Sequence, residues 1–407
     1  MRVIILNDHG YVSGGAAQVA IAGLNRLAIA GIDVTFVAAV GPICSEIDQG
    51  LVRVICLNQC DLIGNPSRLD AAIKGLWNIE SAKSVSHLLS EYNPSDTIVH
   101  IHTWVKSFSP SVVHEILYRG FKVVCTLHDY FTVCPNGGLF NYPHIKHCNI
   151  SPMSLMCLAS NCDSRSYGQK VWRYCRHLIQ EKLAGIPSKI DSYISVSDYS
   201  ESILRPFLPA RAKIFRVRNP IYIERSLPAD PSENQAFSFV GRLSQEKGAI
   251  LFATAAQRLG IEANYVGDGV DAPAVRRIHP QANFLGWLDR QGVINTLKTS
   301  RALVFPSLWH ETQGLVVLEA AALGIPAIVS DGCAAKEAIV DGETGLLFRS
   351  GDINDLCQKL RILRDDPQLA YRLGRKAYER YWSNPSTLDK HVDELISCYK
   401  KILFRER

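Results

Sequence analysis

Strand-like apolar runs alternate with helix-like segments twice along this chain, with one interruption between the two sets. The first runs fall at 3–6, 34–39, 52–57, 97–101, 122–127 and 192–196, with helix-like stretches such as 17–30 and 81–91 between them. The pattern breaks around Arg218-Asn219-Pro220-Ile221, with Pro228 and Pro231 following, and resumes at 237–240, 263–266, 283–285, 302–305, 326–329 and 345–348. Such alternation specifies parallel strands, because a parallel pair needs a long crossover connection and a helix supplies it. The expected fold class is therefore α/β, with two doubly wound parallel-sheet domains facing across a cleft. The first covers 1–218 and the second 219–382, and a last segment, 383–407, reads as helix. A chain of 407 residues also exceeds one ordinary core.

In open parallel sheets, ligands bind beyond the carboxyl ends of the strands. The most informative such end follows the run at 302–305: His310-Glu311-Thr312-Gln313-Gly314-Leu315-Val316-Val317-Leu318-Glu319-Ala320. This stretch reads as the start of a helix that stops at Gly324-Ile325-Pro326. If both glutamates lie on or next to that helix, their spacing turns both carboxylates to one side. Gln313, Gly314 and Leu315 would present bare N–H groups at the helix N-terminus, a site suited to phosphate. Glu319 could accept hydrogen bonds from a vicinal diol such as a ribose. After the run at 237–240 comes Gly241-Arg242-Leu243-Ser244-Gln245-Glu246-Lys247-Gly248. Arg242 and Lys247 there suit a diphosphate. At the first strand end, Gly14 and Gly15 sit in a tight turn that permits close approach to a phosphate or sugar, and His9 reads either as a residue lining the same mouth or as a solvent-facing loop residue. His128 ends the run at 122–127, placed to reach a substrate hydroxyl or phosphate, with Asp129 bracing the loop.

The Glu-x7-Glu spacing of Glu311 and Glu319, and the Gly-Arg-Leu-x-x-Glu-Lys-Gly run from Gly241 to Gly248, resemble those of GT4-family retaining glycosyltransferases. The paired glycines and the His128-Asp129 pair look like further motifs of that family. The resemblance implies the GT-B fold, two Rossmann-like domains, with the final helix crossing back to the first. It implies sugar transfer from a nucleotide-diphosphate sugar to an acceptor hydroxyl with retention at the anomeric carbon. It places Glu311 and His128 at the reacting sugar. Gly14, Gly15, Arg242, Lys247, Gln313, Gly314, Leu315 and Glu319 would bind the donor. No cofactor and no catalytic metal is expected, since two cations would do a metal's work and no DxD motif stands at the donor site. By analogy with bacterial surface-polysaccharide relatives, the acceptor would be a lipid-linked glycan. Two other readings stay open: a GT-B nucleotide-sugar epimerase, and a non-catalytic nucleotide-sugar-binding subunit.

The segment 131–175 is an insertion into the first domain, with Cys134, Cys148, Cys157, Cys162 and Cys175 and two histidines. A structural zinc site on Cys134, Cys148, Cys157 and Cys162 is one reading, and unrelated reduced thiols the other. The stretch 165–189 carries six Lys/Arg against one Glu, with Val171, Trp172, Leu178, Ile179 and Leu183 spaced as an apolar stripe. Either the stripe packs inward, or this basic helix contacts an anionic membrane. The net charge of +5 is too mild to demand nucleic acid and suits an anionic ligand. No apolar run is long enough to span a membrane, and the run from Met1 to Asp8 reads as a first strand, not a signal peptide. These features predict a cytoplasmic protein, with the inner face of the cell membrane as a docking surface.

Overall fold

The computed structural model describes residues 1–404. Two parallel sheets organise two compact units. The first unit comprises Met1–Gly138, Ile150–Pro220 and the chain from Ser386 onward. Its strands are β1 (Arg2–His9), β2 (Asp33–Val40), β3 (Arg53–Cys56), β4 (Thr97–Ile101) and β5 (Lys122–Thr126). After a two-stranded hairpin, β6 (Phe140–Asn141) and β7 (Lys146–His147), come β8 (Ser192–Ser195) and β9 (Lys213–Arg216). The seven-stranded sheet has the order β3-β2-β1-β4-β5-β8-β9, all parallel. The second unit, Leu139–Asn149 with Ile221–Pro385, carries β10 (Phe237–Val240), β11 (Ala263–Val266), β12 (Asn283–Gly286), β13 (Ala302–Phe305), β14 (Ala327–Ser330) and β15 (Gly345–Phe348). Its six-stranded parallel sheet runs β12-β11-β10-β13-β14-β15.

The expected α/β class of doubly wound parallel sheets is what forms. Each sheet starts at a central strand, winds outward one way, returns, and winds outward the other way. The reversals fall between β1 and β4 and between β10 and β13. β4, β13 and β14 are buried at every residue, as strands covered on both faces must be, which is why they read as continuous apolar runs rather than alternating ones. The unit boundaries differ from the expected ones in one place that matters. The sequence assigns all of 131–175 to the first domain, whereas the hairpin segment Leu139–Asn149 packs with the second unit.

The helix Leu388–Leu403 belongs to the first unit; the tail 405–407, part of the expected final helix, lies outside the described residues. Val392, Leu395, Cys398, Tyr399 and Ile402 join the core built on β1, β2 and β4. These positions recur at three- and four-residue intervals, so they share one helix face. Tyr399 is fully buried, and its hydroxyl lies 2.7 Å from His100 Nδ1, whose Nε2 is 2.6 Å from Thr126 Oγ1. Tyr399→Phe should lower stability by about 1–3 kcal/mol, because a buried ring nitrogen loses its partner. Tyr399→Ala should cost about 3–5 kcal/mol through the added cavity. Urea unfolding of the full chain reads both, and equal losses for the two variants would refute the hydrogen-bond assignment.

Candidate active site

The reversal in the second sheet sets two loops side by side, the one after β10 and the one after β13. A reversal leaves a crevice there because the two flanking connections depart to opposite faces of the sheet. Hydrogen bonds to one carbonyl join these loops: Leu308 N donates to Glu246 O at 2.8 Å, and the Ser307 side-chain Oγ donates to the same oxygen at 3.3 Å. The result is a direct ion pair between Lys247 Nζ and the Glu311 carboxylate. Glu311 is 8% exposed, and Ser307 Oγ donates to its Oε1 at 3.0 Å. Lys247 Nζ also lies 5.3 Å from the centre of the Trp309 ring. The Glu311 backbone oxygen accepts from Ala334 N at 3.2 Å, which ties the loop to the segment after β14. Arg242 stands on the same rim, exposed, and its guanidinium makes no hydrogen bond or ion pair among the described residues.

Two glycines allow this arrangement. Gly248 has φ +73°, and a Cβ there would lie 2.0 Å from the Pro306 carbonyl oxygen, so only glycine lets the two loops meet. Gly314 has φ +88°, and a Cβ would lie 2.7 Å from that of Ala335. The helix Leu315–Leu323 starts directly after Gly314, with no side-chain cap, and stops at left-handed Gly324. Val317 N bonds back to Gly314 O at 3.1 Å, and the amides before it precede the first intrahelical acceptor. Gln313 Oε1 is buried without a hydrogen-bond partner. The periodicity expectation needs correction here. Glu311 lies in non-helical chain, four residues before the first helical one, so helical spacing does not align it with Glu319. Glu319 is half-buried on the helix. Burial raises its carboxyl above the ordinary range, and Arg290 opposes that shift.

In the first unit, Gly14 and Gly15 are exposed at the uncapped start of the helix Gly15–Ala22. His9 is not a solvent-facing residue: it is 4% exposed, with Nδ1 3.1 Å from Ser13 Oγ and Nε2 3.5 Å from Asp61. A residue at the end of a central strand has little route to water. Asp8 beside it accepts from the backbone amides of Lys106 at 3.0 Å, Ser107 at 2.9 Å and Phe108 at 3.1 Å, a bracing role that its place at a strand end does not reveal. His128 is half-buried, its Nε2 is 2.9 Å from His102 Nδ1, and the two rings stack. Burial, aided by His391, pushes its pKa down to about 3, so it is a neutral imidazole at ordinary pH. Asp129 accepts from Phe131 N at 2.9 Å, and burial raises its pKa to about 6.

The zinc reading finds no ligand set: among the described residues, no group of three or more His, Cys, Asp or Glu could hold a metal ion. Cys148 belongs to the second unit, while Cys134 and Cys162 share the Asn136 side chain at 3.0 and 3.2 Å. Cys157 Sγ accepts from the buried Lys170 Nζ at 3.1 Å. The basic stretch also turns partly inward. Lys170 and Arg176 are buried, and the Trp172 indole donates to Ala72 O at 3.2 Å. Leu178 and Leu183 remain exposed, and among the described residues no helix is long and apolar enough to cross a membrane.

Solved structures share this architecture. Sucrose-phosphate synthase from Thermosynechococcus elongatus superposes with a TM-score of 0.74 at 18% identity, over 100% of both chains. Anabaena HepE in complex with UDP-glucose gives 0.67 at 17% identity, over 98% of this chain and 99% of that one. With the two parallel sheets, they define the GT-B fold. Residues 224–380 match the family Glycosyl transferases group 1. Over 347 residues the chain is 31% identical to the UDP-Gal:alpha-D-GlcNAc-diphosphoundecaprenol alpha-1,3-galactosyltransferase of Escherichia coli, covering 79% of this chain and 81% of that protein. The chain therefore belongs to the group 1 glycosyltransferases. Glycogen synthase of Mycobacterium tuberculosis is 32% identical over 212 residues, 48% of this chain, and the chain spans only about half (50%) of that relative's length.

Proposed function

We propose that this chain transfers a sugar from a nucleotide-diphosphate sugar to an acceptor hydroxyl, with retention at the anomeric carbon. The observation that carries the reading is the junction of the two loops at the β10/β13 reversal, where Lys247 meets Glu311 beside an uncapped helix N-terminus and an unpaired Arg242. Arg242 and Lys247 supply positive charge for the pyrophosphate as it leaves, and the amides of Gln313, Gly314 and Leu315 add dipoles of the same sign. Glu319 receives the ribose hydroxyls, and its partial burial favours a hydrogen-bonded diol. Glu311 receives the donor-sugar hydroxyls, and Lys247 and Ser307 fix the direction of its carboxylate. On this reading His128 donates or accepts as a neutral imidazole, and Gly14 and Gly15 leave room for the donor.

A lipid-linked glycan is the proposed acceptor, since the relative from Escherichia coli is named for transfer to a diphosphoundecaprenol-linked GlcNAc. Work on such an acceptor would place the protein at the cytoplasmic face of a membrane. The test is a screen of UDP-galactose, UDP-glucose, UDP-GlcNAc and GDP-mannose by thermal shift, followed by transfer to diphosphoundecaprenol-linked GlcNAc. One donor should raise the melting temperature and yield a glycosylated lipid. Conversion of a donor to its epimer without any acceptor would overturn transfer, and so would binding without turnover on a full panel of acceptors.

A further inference from the structure

The hairpin β6/β7 comes from the cysteine-rich insertion, yet it packs in the second unit, against the loop that carries Glu311. Phe140 pairs with His147 across the hairpin. The His147 ring stacks on that of His310 at 3.6 Å between centroids and 24° between planes. It also hydrogen-bonds the Leu308 backbone, and a Cβ on Gly332, after β14, would lie 3.3 Å from its Cε1. The 307–311 loop is thus held from two sides. Glu246 grips Leu308 N and Ser307 on one side, and His147 grips Leu308 and His310 on the other. Burial lowers the pKa of both histidines, His310 to about 3, so the stack joins two neutral rings with no charge repulsion. His147 Nε2 is buried without a hydrogen-bond partner, a cost that a surface hairpin free to move would not bear.

We propose that His147 is a positioning residue for sugar transfer, fixing Leu308 and His310 and, through them, the Glu311 carboxylate. The proposal rests on the role given to Glu311 above. An aromatic stack of this kind contributes on the order of 1 kcal/mol beyond burial, and misplacing a reacting group by about 1 Å can lower a rate about 100-fold.

The test uses the full-length protein and the donor most active in the screen. His147→Ala should lower kcat about 10- to 100-fold while the Kd for UDP, by calorimetry, stays within about twofold. His147→Phe keeps a ring on His310 and should retain more activity than His147→Ala. It also serves as the folded alternative if the alanine variant is unstable. His147→Ala/His310→Ala should be no worse than His147→Ala alone, since both changes break one contact. Unchanged kcat in His147→Ala, additive losses in the double variant, or an equal loss in His147→Phe and His147→Ala would each overturn the proposal. Glu311→Gln is measured in parallel. Full turnover there would refute the donor-site reading instead, which separates the two failures.

Discussion

Lys247→Met should lower sugar transfer about 100- to 1000-fold and destabilise the second unit, and adding Glu311→Gln should restore the stability but not the activity. The reason lies in the burial of the pair. Glu311 is 8% exposed, and Lys247 and Ser307 hold its carboxylate. Removing the cation leaves a buried carboxylate with one hydroxyl partner, and breaking a buried pair from one side costs about 3 kcal/mol. Glutamine in place of Glu311 removes the charge and can still accept from Ser307 Oγ, so the double variant should regain most of that loss. Activity follows another rule. If Lys247 stabilises charge on the departing pyrophosphate, its loss should lower kcat/KM by about 100- to 1000-fold, and no change at position 311 can return it. Chemical denaturation and initial-rate kinetics on three proteins decide the matter. A double variant that recovers turnover with stability would show that the pair is only a structural brace.

The fold could be read from the sequence because its central strands, such as β4, β13 and β14, are buried on both faces. Such strands are short apolar runs, and runs such as 302–305 and 97–101 coincide with strands of the structure. The glycine at the helix start, Gly314, was visible in the same way, whereas the forced conformation of Gly248 appears only once Pro306 packs against it. The parts that could not be read depend on contacts far apart in sequence. That Lys247 and Glu311 form an ion pair cannot be seen until the order of strands sets their loops together. His147 carries no local mark at all, since its ring partner is more than one hundred and fifty positions away. The same holds for Lys170 and Arg176: helical periodicity places charges on a face, and only tertiary packing decides that the face is inside. Of the two placements the sequence left open for Glu311, before the helix or on its first turn, the structure has the first, because the helix begins only after left-handed Gly314.

Arg242→Ala should weaken UDP binding about 10- to 100-fold and leave the melting temperature of the unliganded protein unchanged. The guanidinium touches no hydrogen-bond or ion-pair partner among the described residues, so the fold loses nothing when it is removed. A charge-assisted hydrogen bond to phosphate contributes about 1.5–3 kcal/mol, which sets the expected loss of affinity. Arg242→Lys keeps the charge but not the planar fork, so it should recover only part of the binding if the contact is bidentate. The contrast with Lys247 is the discriminating point. Both residues come from one loop after β10 and both carry one positive charge, yet Lys247 is paired with Glu311 and Arg242 has no such partner among the described residues. If the two grip the same pyrophosphate, Arg242 variants should fail in affinity alone, and Lys247 variants in affinity, turnover and stability together. UDP affinity in Arg242→Ala equal to that of the unaltered protein would remove this side chain from the donor site and leave the pyrophosphate to Lys247 and the helix amides.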